Sequence, residues 1–364
     1  MERLHREEGI ALAAAMYALI VVGGLVSAAF FVSVLEQRLG FNALKLNGAF
    51  AAADGGAAEI VSQWSSGGYD QLAVGETTTL GQRWVGQSGW YGGTVRRLAR
   101  QLFLITIDAY SRDSTARQRV GLLVRSTPVE VDLRAALTTR GPVRLGTSAS
   151  VSGNDEPPSG WTGCEDPRSP LPALRLPPAD SAAILKPGCT NYGCLSGTPK
   201  IRGDSTINDV SFSDLAALAT RTLPGGSYSE IGPRADADGC DWSHPQNWGD
   251  PLSPGGSCSW YFPLIFIGGN ASIQGTAGQG VLVVDGNLRV DGDLRFYGAV
   301  IVRGTLSITG GRVSGGVSAG GASLEASSVL GEAAVRYSSC VLERALDATA
   351  PAAPLEQRAW INPY

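Results

Sequence analysis

The side chains best suited to acid–base, nucleophilic or metal chemistry are few in this chain. There are 2 histidines, His5 and His244, and 6 cysteines among 364 residues. A Ser/His/Asp triad would have to use His244, the one histidine beyond the N-terminal apolar segment. Its surroundings, CDWSHPQNW, contain no nucleophile elbow, so it reads as a loop histidine. The run DADGCD places Asp236, Asp238 and Asp241 as oxygen donors for calcium, but Cys240 stands at the third ligand position of the D-x-D-x-D-G pattern. A polar turn is the better reading, and no metal or cofactor is expected. Asp291, Asp293, Arg289 and Arg295 could form a carbohydrate lyase site. Alternating charges of this kind also keep a β surface soluble. No phosphate-binding loop or dinucleotide fingerprint is present. The chain therefore reads as a non-enzyme.

The cysteines, Cys164, Cys189, Cys194, Cys240, Cys258 and Cys340, all follow residue 163. They lack the paired C-x-x-C spacing with histidines that zinc sites show, which favours disulfides and hence an oxidising compartment. Several pairings are possible. Local Cys189–Cys194 and Cys240–Cys258 bridges are favoured, leaving Cys164–Cys340, although the sequence does not decide this. Net charge is −4 and no basic block exists, with Lys45, Lys186 and Lys200 the only lysines, so nucleic acid is not an expected partner.

The elements that must carry these residues begin with a charged leader, residues 1–9. Ile10 to Leu35 follows without a charge, long enough for a bilayer core that needs about 20 residues and too long for a signal-peptide core. Arg3 and Arg6 stand against Glu2, Glu7 and Glu8, so orientation rests on the cysteines, whose pairing would place the C-terminal part outside the cytoplasm. Glu36 to Trp64 continues as helix. Leu39, Leu46, Phe50, Ala53, Ala57, Ile60, Val61 and Trp64 recur at helical steps, a stripe to lay on a sheet. Gly55-Gly56 costs roughly 1 kcal/mol per glycine inside a helix, so a kink or close backbone packing is expected there. The runs Gln101–Tyr110 and RQRVGLLVRS, joined by Ser111–Thr115, read as an antiparallel hairpin for that stripe. Residues 36–135 thus form a helix-on-sheet unit.

Further on, Gly280, Gly286, Gly292, Gly298, Gly304, Gly310 and Gly316 recur every sixth residue. The hexads DGNLRV, DGDLRF, YGAVIV and RGTLSI place Leu288/Val290, Leu294/Phe296, Val300/Val302 and Leu306/Ile308 on an inward face. Each hexad reads as a short strand and a glycine corner, three to a coil. On that spacing Asp285 and Arg303 stack as outward, opposite charges. The expected architecture is α+β and membrane-anchored: a long helix on a small antiparallel sheet, then a mainly-β solenoid over 136–155 and 263–345. Residues 156–262, rich in Pro, Gly and Ser, read as an excursion held by disulfides. Residues 346–364 form a tail in which Trp360 seals a core.

A charged leader ending in Gly9 and running directly into an apolar helix resembles the class III signal of type IV pilins and pseudopilins. The resemblance implies cleavage by a prepilin peptidase between Gly9 and Ile10. Major pilins carry glutamate at the fifth mature position, where this chain has Ala14. That departure resembles PilX-type minor pilins and K-type pseudopilins, and it suits an accessory or tip subunit. Ala49–Trp64 is similar to the stretch after the anchor in PilX-like proteins, with Asp54 in place of their glutamate. YSSCVLERAL and PLEQRAWINPY resemble their closing segment. Hexads of this kind also resemble left-handed acyltransferase helices and right-handed bactofilins, and the pilus-assembly likeness leans right-handed. The resemblance implies a structural or assembly subunit of a type IV pilus or related filament. Its partners would be other pilin-like subunits, inner-membrane assembly machinery and the bilayer through residues 10–35. The N terminus would be cytoplasmic, with the ectodomain periplasmic or displayed. The alternative is a membrane-tethered carbohydrate-binding or carbohydrate-acting β-helix.

Overall fold

In the computed structural model the described residues are 8–64, 68–128, 131, 133–164, 167–178, 184–185, 189, 193–204, 211–236, 239–324, 332–350, 352–355 and 360–361. Helix α1 runs unbroken from Glu8 to Ser62, 55 residues or about 80 Å at the α-helical rise. Every side chain from Ala11 to Leu44 is exposed. By length and composition this helix can cross a membrane. Leaders 1–7 lie outside the described residues; Gly9 and Ile10 lie in the first turns, with their side chains also outside them.

The last third of α1 packs on an antiparallel sheet. Strands β1 (Thr77–Val85), β2 (Gly89–Ala99), β3 (Leu102–Ser111) and β4 (Arg117–Ser126) follow each other as a meander. The β3–β4 hairpin registers Ile105 with Leu122, and every second residue of β3 is buried. β1 and β2, lacking the strong alternation of β3, were not evident in the sequence.

The remaining strands are β5 (Leu137–Thr139), β6 (Val143–Leu145), β7 (Ala149–Ser152), β8 (Leu174–Leu176), β9 (Ile184–Leu185), β10 (Leu195–Ser196) and β11 (Ile201–Gly203). Helix α2 (Phe212–Leu218) precedes β12 (Arg221–Ile231) and a small hairpin, β13 (Ala235–Asp236) with β14 (Gly239–Cys240). Then come β15 (Leu264–Gly275), β16 (Ala277–Val284), β17 (Leu288–Val290), β18 (Arg295–Ile308), β19 (Gly311–Leu324) and β20 (Ala333–Tyr337). Helix α3 (Ser339–Ala348), β21 (Ala352–Pro354) and β22 (Trp360–Ile361) end the chain.

From β15 to β19 all pairings are parallel, and β15, β16, β18 and β17 close a ring of four strands. The long strands serve two sides each. Residues 264–267 of β15 pair with β16, and residues 271–273 pair with β17. The partner lies 17 or 18 positions on: Leu264 pairs with Val281, and Val281 with Ala299. At one corner Gly280, Gly298 and Gly315 stand in register with φ of +109°, +148° and +135°. A Cβ on Gly298 would lie 1.7 Å from the Gly280 carbonyl oxygen, so only glycine fits. The strict six-residue count slips here, because Gly298 pairs with Gly315 and not with Gly316. The inward residues Leu288, Val290, Leu294, Phe296, Val300, Val302, Leu306 and Ile308 are all buried. Outside, Arg303 donates to Asp285 at 2.6 Å, and Asn287 Oδ1 accepts from Thr305 N at 2.8 Å, both pairs 18 positions apart.

Residues 137–152 continue this stack, but at its C-terminal end. Leu137 pairs with Val317, Val143 with Ala322 and Ala149 with Ala333. The segment 156–262 is more than an excursion. β8, β9 and β10 pair in parallel with β5, β6 and β7, while β12 adds to the opposite end beside β15. β12 carries Pro224, a residue tolerated in a strand with one free edge. The tail differs too: β21 and β22 both pair antiparallel with β4 and so enlarge the first sheet. The Trp360 side chain lies outside the described residues.

Candidate functional site

The docked end of α1 is built from small residues. Ala52, Ala53, Ala57, Ile60 and Trp64 are buried against Tyr91, Val95, Phe103, Ile105 and Ile107, and Ala49 is buried as well. The expected stripe is only half right. Leu39, Leu46 and Phe50 are 67 %, 48 % and 54 % exposed, because the helix has not yet reached the sheet or turns them away from it. Gly55 and Gly56 produce no break in the helix; they allow close packing. A Cβ on Gly56 would sit 2.7 Å from Tyr91 Cγ, and one on Gly55 2.7 Å from Val85 Cγ1. Trp64 closes the interface edge-on to Phe103, with ring centroids 4.9 Å apart.

Polar groups fasten the helix at two levels. Glu59 accepts from Arg83 Nη1 at 2.7 Å and from Tyr91 Oη at 3.0 Å. Burial, followed by the hydrogen bond to Glu59, pushes the Tyr91 phenol up to about 12. Lower down, Lys45 donates to Asp113 in the β3–β4 turn at 2.7 Å. Lys45, together with Ser111 and Thr115, holds that carboxyl well below the usual range. Beyond Lys45 toward the N terminus the helix is bare.

A second set of contacts joins the antiparallel sheet to the parallel strands. Arg97 on β2, 9 % exposed, donates to the carbonyls of Asp70 and Leu72 at 2.8 Å each, and to that of Arg100. It also faces Asp347 of α3 at 3.6 Å. Burial raises the Asp347 carboxyl despite Arg100 and Arg97 nearby. Arg175, 1 % exposed, pairs with Asp204 at 2.9 Å inside the stack. Neither arginine was singled out in the sequence, where an arginine in a short β-like run looks like an outward-facing residue.

The cysteines form Cys164–Cys340, Cys189–Cys194 and Cys240–Cys258, with Cα separations of 5.6, 4.8 and 4.9 Å. Asp241 Oδ1 accepts from Ser243 N, Ser243 Oγ and His244 N, which makes it the cap of a turn. Asp236 lies in the β13–β14 hairpin, and Asp238 is outside the described residues. Among the described residues no group of three His, Cys, Asp or Glu could hold a metal ion. His244 Nδ1 accepts from Gln246 N at 3.2 Å, within its own loop. Asp291 is taken up by Arg289 at 2.7 Å, while Asp293 and Arg295 project to solvent.

No protein-family model matches the sequence, and no curated protein matches it. Among solved structures it is similar to the competence-associated pilin ComZ from Thermus thermophilus. Identity is 12 %, coverage is 87 % of this chain and 97 % of that chain, and the TM-score is 0.25. A superposition this loose carries no conclusion about either fold.

Proposed function

We propose that this chain is a non-catalytic, pilin-like subunit or assembly component of a type IV pilus or related envelope filament. The observation that carries it is one helix with two environments. Residues 11–44 are exposed throughout, whereas Ala52, Ala53, Ala57, Ile60 and Trp64 supply the helix side of the core of an antiparallel head. A bare apolar helix of this length needs lipid, or the matching helices of neighbouring subunits, to leave water. The PilX-type likeness at Gly9–Ile10, with Ala14 in place of glutamate, supports processing by prepilin peptidase and an accessory place in the filament. The three disulfides, all beyond the helix, support an ectodomain outside the cytoplasm with the N terminus inside. We read the parallel ladders, with partners 17 or 18 residues apart, as the coils of a right-handed β-solenoid.

N-terminal mass spectrometry of the native protein tests this reading. With prepilin peptidase present the mature chain should begin at Ile10; without it, or in Gly9→Val, all nine leader residues should remain. An intact leader in the wild type would leave a plain membrane anchor. Freshly isolated, non-reduced protein should also resist thiol alkylation at all six cysteines.

A further inference from the structure

A groove where the start of β12, the end of α3 and the Cys240–Cys258 loop meet has no part in the reading above. Its inner end is a cavity of about 170 Å³ lined by Asp70, Arg221, Trp242, Trp260 and Tyr261. On the other side of Trp260 a wider cleft of about 420 Å³ runs past Trp161, Asp250 and Arg344. Trp260 and Phe262 line both, so the two form one surface divided by an indole ring.

Covalent and buried polar groups hold this surface in shape. The Cys240–Cys258 bridge joins two C-x-W segments, which places Trp242 and Trp260 each two residues from the disulfide. Their ring centroids lie 4.0 Å apart, and Tyr261 stands edge-on to Trp242 at 5.1 Å. Asn247 and Gln279, both 0 % exposed, tie the loop down. Asn247 Nδ2 donates to the carbonyls of Arg234 and Asp241, and Gln279 Nε2 to those of Ser259 and Tyr261. Arg221 is bound into the same loop, donating to the carbonyls of Trp242 and Ser243 and to the Tyr261 hydroxyl.

We infer that this groove binds a β-linked chain of gluco-configured pyranoses. Such rings are apolar on both faces, where axial C–H groups stack on indoles, and polar around the edge, where hydroxyls meet carboxylates and guanidinium groups. Trp242 and Trp260, both part-exposed, supply faces; Asp70, Asp250 and Arg344 supply edges. The wider cleft falls within the roughly 300–1,000 Å³ typical of ligand sites. Stacked bases would use the same rings, but a polyanion would meet Asp70 and Asp250 in a chain of net charge −4. The groove lies near Asp70, just past the C-terminal end of α1 and so away from the bare half. The inference does not depend on the pilin reading.

The test is titration of the full chain in detergent with cellotetraose, chitotetraose and a single-stranded oligothymidylate, followed by tryptophan fluorescence and calorimetry. Saturable binding of at least one tetrasaccharide is expected. Trp260→Ala and Trp242→Ala should each weaken it tenfold or more, whereas Trp84→Ala, on the first sheet, should not. Where an alanine variant fails to fold, protection of wild-type tryptophans from N-bromosuccinimide by the bound sugar gives the same readout. No saturable binding of either tetrasaccharide overturns the proposal. So does binding that is indifferent to both substitutions, or preferential binding of the oligonucleotide.

Discussion

At Gly56 the spacing between helix and sheet is set by the absence of one carbon. Adding it gains about 1 kcal/mol of helix propensity. The new Cβ would lie 2.7 to 2.9 Å from three carbons of the Tyr91 ring, which is itself 1 % exposed and fixed by Glu59. Overpacking of this kind costs about 1–3 kcal/mol, so the clash outweighs the propensity. Gly56→Ala should lower the melting temperature. Gly55→Ala should do so less, since it meets a Val85 methyl, and Gly40→Ala, with nothing within 4 Å, should not. Equal melting temperatures for Gly56→Ala and Gly40→Ala would remove Gly56 from the interface.

Tyr91 also gives this interface a pH signature. Its phenol titrates near 12 in the folded protein and near 10 in the unfolded chain. Between these values the folded state holds the proton and the unfolded state does not, so stability falls as pH rises. Below pH 10 the contribution is complete; above 12 it is gone. Urea midpoints measured from pH 9 to 11.5 should fall less steeply in Tyr91→Phe than in the wild type. Parallel slopes would mean that the phenol is not held by Glu59 and burial. The sequence showed Gly55-Gly56 as a place of close packing or a kink, but not the choice between them. That depends on Tyr91 and Val85, which lie on strands with too little alternation to be recognised.

Among the elements, the parallel strands show how far periodicity can be read. Hexads 285–308 were legible because each carries its own two inward residues and a corner glycine. β8, β9 and β10 were not: strands of two or three residues have no period of their own, and only stacking on β5–β7 defines them. The return of β21 to β4 was equally hidden, since a strand of Ala-Ala-Pro is held by its partner and not by propensity. Where the pattern is legible it makes a sharp claim. Leu294 is 1 % exposed and Arg295, the next residue, projects outward. Leu294→Asp should cost several kcal/mol by burying an unpaired carboxylate, and Val300→Asp, one hexad on and also 1 % exposed, should match it. Arg295→Asp should change stability by about 0.5 kcal/mol. Thermal melts that rank Arg295→Asp with Leu294→Asp would show the alternation to be wrong.

For the whole molecule the central question is whether head and stack unfold together. They are joined at several points far apart in sequence: β21 on β4, Arg100 on Glu343 and Asp347, and Arg97 reaching Asp347 across 250 residues. Arg97 is the most demanding of these joints. It is buried over the Phe103 ring, 5.3 Å from its centroid, and its donors serve three backbone carbonyls as well as the Asp347 carboxylate. Removing one partner of a buried, hydrogen-bonded charge costs about 3–5 kcal/mol, because the acceptors left behind are desolvated and unpaired. Arg97→Leu keeps the apolar contact with Phe103 and deletes only those bonds. In calorimetry the wild type should show one cooperative transition; the variant should show an earlier melt of the antiparallel sheet, followed by the disulfide-linked stack. Arg97→Lys should fall between the two, since one ammonium cannot reach all the acceptors of a planar guanidinium. A single transition at the wild-type temperature in Arg97→Leu would mean that β21 and the Arg100 ion pairs couple the two bodies without this arginine.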